Sequence, residues 1–233
     1  LITTYQIYGR AKGYPELFYC EGSTISLKGS TTRKIAFERT SKQHVRISQN
    51  TVKDSVLVEK MLMNKQNFKS AKDVDGFVPQ ASGLYCIRIK NVHLLPEPFG
   101  TILLERGHDI LYIGIASENL YNRFLNQELR AKGHGTFFRS MGAVLGYKPP
   151  KGSLIEKRNK KNYKFSKTDE LKIIGWINEN LMVNWVESAG DLDSLETSLI
   201  VKYLPLLNLS KNPAALQILS YLRKECVEIA NRN

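Results

Sequence analysis

The sequence predicts an α/β protein of the α+β kind: a small central antiparallel sheet of three strands flanked by helices, preceded by a small α+β module. Three observations predict it. The segments GLYCIRIKN (83–91) and DILYIGIAS (109–117) are rich in β-branched and aromatic residues and read as neighbouring strands. Segments with helical apolar spacing follow them. Short apolar pieces separated by Gly and Ser precede them.

Taken in order, residues 1–78 form the α+β module. LFYCEG, STISLKGS, KIAFE and HVRIS read as short strands with turns around Gly22 and Gly29. Val52, Val56, Leu57 and Met61 then recur at helical spacing, and VDGFVPQAS, with Gly76 and Pro79, reads as a linker. A second domain spans 82–212. Its first two strands are joined by a long loop, broken by Pro96, Pro98 and Gly100. Residues 119–131 predict a helix with Asn119 as N-cap and Leu120, Phe124 and Leu129 on its apolar stripe. Another helix is expected over 136–146. A helix over 166–181 opens with Ser166 and, three residues later, Asp169. LMVNWVES (181–188) is the third strand, and the helix over 191–205 stops at Pro205. Residues 213–233 hold a C-terminal amphipathic helix packed on this domain, with Pro213 near its first turn.

Composition narrows the class of function. Hydrophobic residues make up 42% and charged residues 24%, a globular balance. No apolar run reaches the roughly 18 residues of a membrane span, and the N-terminal segment lacks the order of a signal peptide, so a cytoplasmic protein without a membrane partner is expected. Cys20, Cys86 and Cys226 give neither a disulfide framework nor a zinc knuckle. The four histidines have no metal-ligand spacing. Thirty-four Lys+Arg against 22 Asp+Glu give a formal charge of +12, which makes nucleic acid the expected partner. The excess concentrates in KPPKGSLIEKRNKKNYKFSK (148–167). That run reads either as a solvated loop or, because Tyr163 and Phe165 interleave its charges, as a contact that tracks a nucleic-acid backbone. Lys157, Arg158, Lys160 and Lys161 are its candidate phosphate contacts.

Glu196 stands out chemically. It lies at the edge of the stripe Leu192, Leu195, Leu199 and Tyr203, where a carboxylate must be paired, capped or metal-bound. One alternative is a capping box, with Asp193 as N-cap and Glu196 as its reciprocal partner. Tyr85 and Tyr112 sit on the two strands. A packing role would account for each, as a surface position would for Arg123.

The ordered set is more specific than its parts. Gly83-Leu84-Tyr85, Tyr112-Ile113-Gly114, Arg123 in LYNRF, Glu196 in SLETSLI and Asn208 in YLPLLN together resemble the GIY-YIG nuclease family over roughly residues 82–212. The resemblance implies hydrolysis of phosphodiester bonds, usually in DNA, with one divalent metal, Mg²⁺ or Mn²⁺. It implies Glu196 as metal ligand, Tyr85 and Tyr112 as groups that orient or activate water, and Arg123 as the scissile-phosphate contact. Some members carry a histidine one helical turn after the arginine, where this chain has Gln127. His134 is therefore a candidate proton acceptor for Tyr85, or an ordinary loop residue. Arg130, Arg139 and Asn208 are candidate substrate contacts. Many members have a polar or basic residue where Ile115 stands. RNA is an alternative substrate, and a homodimer would suit a cut through both strands. The competing expectation is a protein that binds nucleic acid on a nuclease scaffold without cleaving it.

Overall fold

The computed structural model describes residues 54–233. The short strands expected over 1–45, and with them Cys20, His44 and Val52, lie outside the described residues.

The sheet contains the three expected strands and one more. We label the strands β1 (Lys69–Ser70), β2 (Gly83–Ile89), β3 (Ile110–Ala116) and β4 (Leu181–Glu187). Their order is β1-β4-β2-β3, with every pairing antiparallel. The addition, β1, has only two residues, too few for any periodicity to reveal. Central β2 is buried along its whole length, so its sequence GLYCIRI is almost continuously apolar. Alternation still sorts its side chains. Tyr85, Ile87 and Ile89 enter one core, while Leu84 and Cys86 enter the other.

Helices cover both faces. The described part of α1 covers 54–63. It is followed by α2 (Phe99–Glu105), α3 (Tyr121–Leu129), α4 (Thr136–Val144), α5 (Lys167–Asn180), α6 (Leu192–Tyr203) and α7 (Gln217–Asn231). The Tyr85 face packs on Phe124, Phe137, Met141, Ile173, Ile177 and Leu219 from α3, α4, α5 and α7. The opposite face packs on Leu62 of α1 and on Leu192, Leu199 and Ile200 of α6. Ser166 caps α5 as expected, accepting from the Asp169 N–H at 3.1 Å. Among the described residues, no helix is long and apolar enough to cross a membrane.

Several expectations change. The stretch between β2 and β3 is not all loop: Phe99 and Leu103, one turn apart, bury their side chains and fold α2. In α1 the stripe Val56, Leu57 and Met61 is exposed, and Leu62 is the buried residue. Nor does a linker separate 54–78 from the domain, because both lie in one compact unit. Val74 and Val78 are buried, Lys69 pairs with Val183, and the Asn184 amide donates to the carbonyls of Met61 and Leu62 at 2.9 and 2.8 Å. The final helix starts at Gln217, four residues beyond Pro213.

Candidate active site

The two tyrosines meet across the β2–β3 pairing. Tyr85 pairs with Gly114, and Tyr112 lies two residues back on the same face. The Tyr85 ring lies flat across the neighbouring strand, which only glycine permits. A Cβ on Gly114 would stand 2.5 Å from the Tyr85 hydroxyl oxygen. Phe124 stacks on Tyr85 with ring centroids 4.7 Å apart, and Tyr112 lies 6.2 Å away. Burial pushes both phenol pKa values up, and the charge of Glu128 pushes them further, with Arg123 opposing. Both hydroxyls therefore keep their protons at neutral pH. The Tyr85 hydroxyl donates toward Glu128 Oε1 over a long 3.4 Å.

Helix α3 brings Arg123 and Glu128 together. It is wound with i→i+5 hydrogen bonds, a π-type winding that turns less per residue than an α-helix and so carries Glu128 toward the face of Arg123. The expected cap is present, with Asn119 Oδ1 accepting from the Asn122 N–H at 3.0 Å. Arg123 lies 3.0 Å from Glu128 Oε1, 3.0 Å from Gln127 Oε1 and 3.5 Å from the Thr136 hydroxyl. Its side chain is one-third exposed, which leaves donors for a ligand. Glu128 is fully buried, and its Oε2 accepts from the Phe138 N–H at 3.3 Å, at the start of α4. Burial holds its carboxyl above the ordinary carboxylate value, and Arg123 and three backbone N–H groups offset part of that. Gly135 allows this approach: a Cβ there would sit 2.5 Å from Glu128 Oε2. Sequence reading singled out Gln127 and passed over its neighbour Glu128.

Glu196 is not a capping residue. Asp191, not Asp193, caps α6, its carboxylate accepting from the Ser194 N–H at 3.2 Å. Glu196 lies mid-helix with a mostly buried side chain, and its charge reaches both Tyr85 and Tyr112. Its Oε2 accepts from Lys211 Nζ at 2.7 Å. Asn208 is buried and grips one residue of the YIG strand. Its Oδ1 accepts from the Ile113 N–H at 3.0 Å, and its Nδ2 donates to the Ile113 carbonyl at 2.8 Å. With the Leu206 and Leu207 N–H groups bonded to the carbonyls of Ile110 and Leu111, the segment after α6 is stitched along β3.

The charges of Arg123 and Glu196 thus both reach Tyr85 and Tyr112, on the strand–strand–helix–helix frame expected for them. The family model for the GIY-YIG catalytic domain matches residues 83–225, more than half of the chain. The chain belongs to the GIY-YIG family. The match runs past 212 and takes in part of α7, so that helix is integral to the GIY-YIG domain. Searches of the curated proteins and of the solved structures returned no match. The family makes this a nuclease domain of the endonuclease kind, acting on nucleic acid, and GIY-YIG nucleases in general depend on a divalent metal.

The residues present fit such a metal. Glu196, mostly buried, has a cationic partner in the Lys211 ammonium at 2.7 Å. Among the described residues no group of three or more His, Cys, Asp or Glu side chains converges. One carboxylate is a sufficient protein donor set for Mg²⁺, which fills the rest of its shell with waters and phosphate oxygens.

The other candidates from the sequence divide. Arg130 is consumed by structure, donating to Asp75 at 2.8 Å, Asn178 at 3.1 Å and the Ala71 carbonyl at 2.7 Å. Arg139 is buried and donates to Asn162 Oδ1 at 2.7 Å and to the Lys161 carbonyl at 3.3 Å. Burial, with Arg223 nearby, brings the Arg139 pKa down to about 10. Tyr163 and Phe165 are buried core residues with ring centroids 5.5 Å apart, so they are not stacking platforms for bases. The run between Lys148 and Lys167 is accordingly anchored by its aromatics and by Arg139. His134 lines a cavity of about 580 Å³ there, together with Lys157, Arg158 and Lys164. Lys160 bonds back to the Leu154 and Ile155 carbonyls, and the Lys161 side chain is exposed.

Proposed function

We propose that this protein is a metal-dependent endonuclease that hydrolyses DNA phosphodiester bonds with Mg²⁺ or Mn²⁺ held by Glu196. The observation that carries the reading is that the charges of Arg123 and Glu196 both reach the paired Tyr85 and Tyr112, with the Arg123 side chain one-third exposed. Arg123 grips the scissile phosphate, because a guanidinium presents several donors to its oxygens and opposes charge that builds on them. Tyr85 and Tyr112 position the attacking water through their hydroxyls. They act as hydrogen-bonding groups and not as resident phenolates, since both pKa values are pushed up. Glu128 positions Tyr85 and Arg123 and touches no substrate. When bound, the divalent cation supplies Lewis-acid stabilisation of the transition state.

Lys157, Arg158 and His134 face the incoming strand from the basic cavity. His134 belongs to this substrate side, since the Tyr85 hydroxyl already has Glu128 as its partner. Burial and the neighbouring Lys164 and Arg139 lower the pKa of His134. It is therefore neutral at neutral pH and can accept a hydrogen bond.

The test uses matched end-labelled DNA and RNA duplexes and single strands, incubated with Mg²⁺, with Mn²⁺ or with a chelator. Metal-dependent internal cuts in DNA are expected. Cuts confined to RNA would reassign the substrate. Salt-sensitive binding without cuts in any of them would favour the non-cleaving scaffold.

A further inference from the structure

We propose that Lys211 is the resident cation of the metal site. In the metal-free protein its ammonium neutralises Glu196; once a metal is bound it remains tethered to Asp193 beside the site and contacts a substrate phosphate. The inference rests on Glu196 being the metal ligand, as proposed above.

Lys211 Nζ lies 2.7 Å from Glu196 Oε2 and 2.6 Å from Asp193 Oδ1, so one ammonium bridges two carboxylates one helical turn apart. The two contacts differ in kind. Asp193 is exposed, and a solvent-exposed ion pair contributes little to stability. Glu196 is mostly buried and requires a counter-charge. The backbone also commits itself to this arrangement. Lys211 has φ +63°, a left-handed conformation that is costly for a residue with a side chain. The next residue fixes the loop: the Asn212 amide donates to the carbonyls of Pro205 and Asn208 at 2.8 and 3.0 Å.

Lys211 occupies Glu196 Oε2 and its charge repels a second cation on the same carboxylate, so a metal and Lys211 compete for Glu196. The Asp193 contact lets the ammonium leave Glu196 without leaving the site. The two carboxylates, Lys211 and a divalent cation then carry one net positive charge, which suits a phosphodiester anion. Lys211 therefore opposes metal binding and favours nucleic-acid binding. A lysine that merely ties loop to helix would do neither.

The opposite signs make the test. Mn²⁺ binding to the full chain is measured by calorimetry, and duplex DNA binding is measured in Ca²⁺, for wild type and for Lys211→Met, Lys211→Gly, Lys211→Arg and Glu196→Ala. Lys211→Gly guards against misfolding, because glycine accepts the left-handed backbone without strain. Both Lys211→Met and Lys211→Gly should bind Mn²⁺ on the order of tenfold more tightly. They should bind DNA several-fold more weakly, with a salt dependence reduced by about one phosphate contact. Lys211→Arg should stay near wild type in both. If Glu196→Ala abolishes Mn²⁺ binding yet neither neutral variant binds the metal more tightly, Lys211 is not the competitor, although Glu196 remains the ligand. Tighter metal binding with unchanged DNA affinity would overturn the phosphate contact. Mn²⁺ binding that survives in Glu196→Ala would overturn the ligand assignment and this inference with it.

Discussion

Glu128 and Glu196 are carboxylates whose charge reaches both Tyr85 and Tyr112, and they are held in contrasting ways. Glu128 is sealed. It is fully buried and satisfied by Arg123, by the Tyr85 hydroxyl and by backbone N–H groups at the start of α4. Glu196 keeps some exposure, and its partner is the partly exposed ammonium of Lys211 at 2.7 Å. Fixed donors around a buried charge make a positioning device, because nothing in that shell can leave without a large desolvation penalty. A partly exposed carboxylate paired with a single side chain is the kind of group that the proposed metal would bind. The same side-chain chemistry thus sits in two different settings, and the proposed roles follow from what surrounds each carboxylate.

Mutations should separate the two roles, beginning with the largest effect. Glu196→Ala should reduce cleavage by on the order of a thousandfold or more while nucleic-acid binding survives, as checked by single-turnover rates and by binding in Ca²⁺. Gly114→Ala should come next. It drives a methyl group against the Tyr85 ring, costs about 1–3 kcal/mol in denaturant unfolding, and lowers activity with it.

Glu128→Gln keeps the side-chain shape and removes the charge, so cleavage should fall by about tenfold to a hundredfold through looser placement of Arg123 and Tyr85. Its pH signature is distinctive. The folded pKa of Glu128 is raised above the ordinary 4.5. Its contribution to stability is therefore fully present below that value and is lost as pH rises through the folded pKa. Melting curves should show wild type losing stability relative to Glu128→Gln as pH rises through that window. A constant difference between the two would refute the buried-charge account. The smallest effect belongs to the basic cavity, where Lys157→Ala or Arg158→Ala should weaken binding several-fold and reduce the salt slope by about one each.

Much of the frame was legible in the sequence because it depends on local pattern. β2, β3 and β4 follow from β-branched and aromatic runs, and α5 follows from its Ser166 cap. Tyr85, Tyr112, Arg123 and Glu196 were singled out by the ordered motif whose family the chain belongs to. The rest needed three dimensions. Glu128 was missed because a 3.6-residue period does not place it on the side of Arg123, whereas the π-type winding of α3 does. Lys211 was missed because a left-handed lysine in a loop has no sequence signature. Tyr163 and Phe165 lie in a charge-rich run whose composition reads as surface, yet the core claims both. Asn208 was expected to contact substrate; its amide instead completes the pairing of Ile113. In α1 the pattern found a helix but chose the wrong face, since Leu62 is buried in the sheet core and Val58 and Met63 pack against it, while Val56, Leu57 and Met61 are exposed.

The central claim is that Glu196 holds the metal with which this GIY-YIG domain cuts DNA. Supercoiled plasmid nicking by wild type and by Glu196→Ala, with Mn²⁺ and with chelator, tests it most directly. The account predicts nicked and linear plasmid only for wild type with metal. Equal cutting by the variant, or cutting by wild type in chelator, would contradict it.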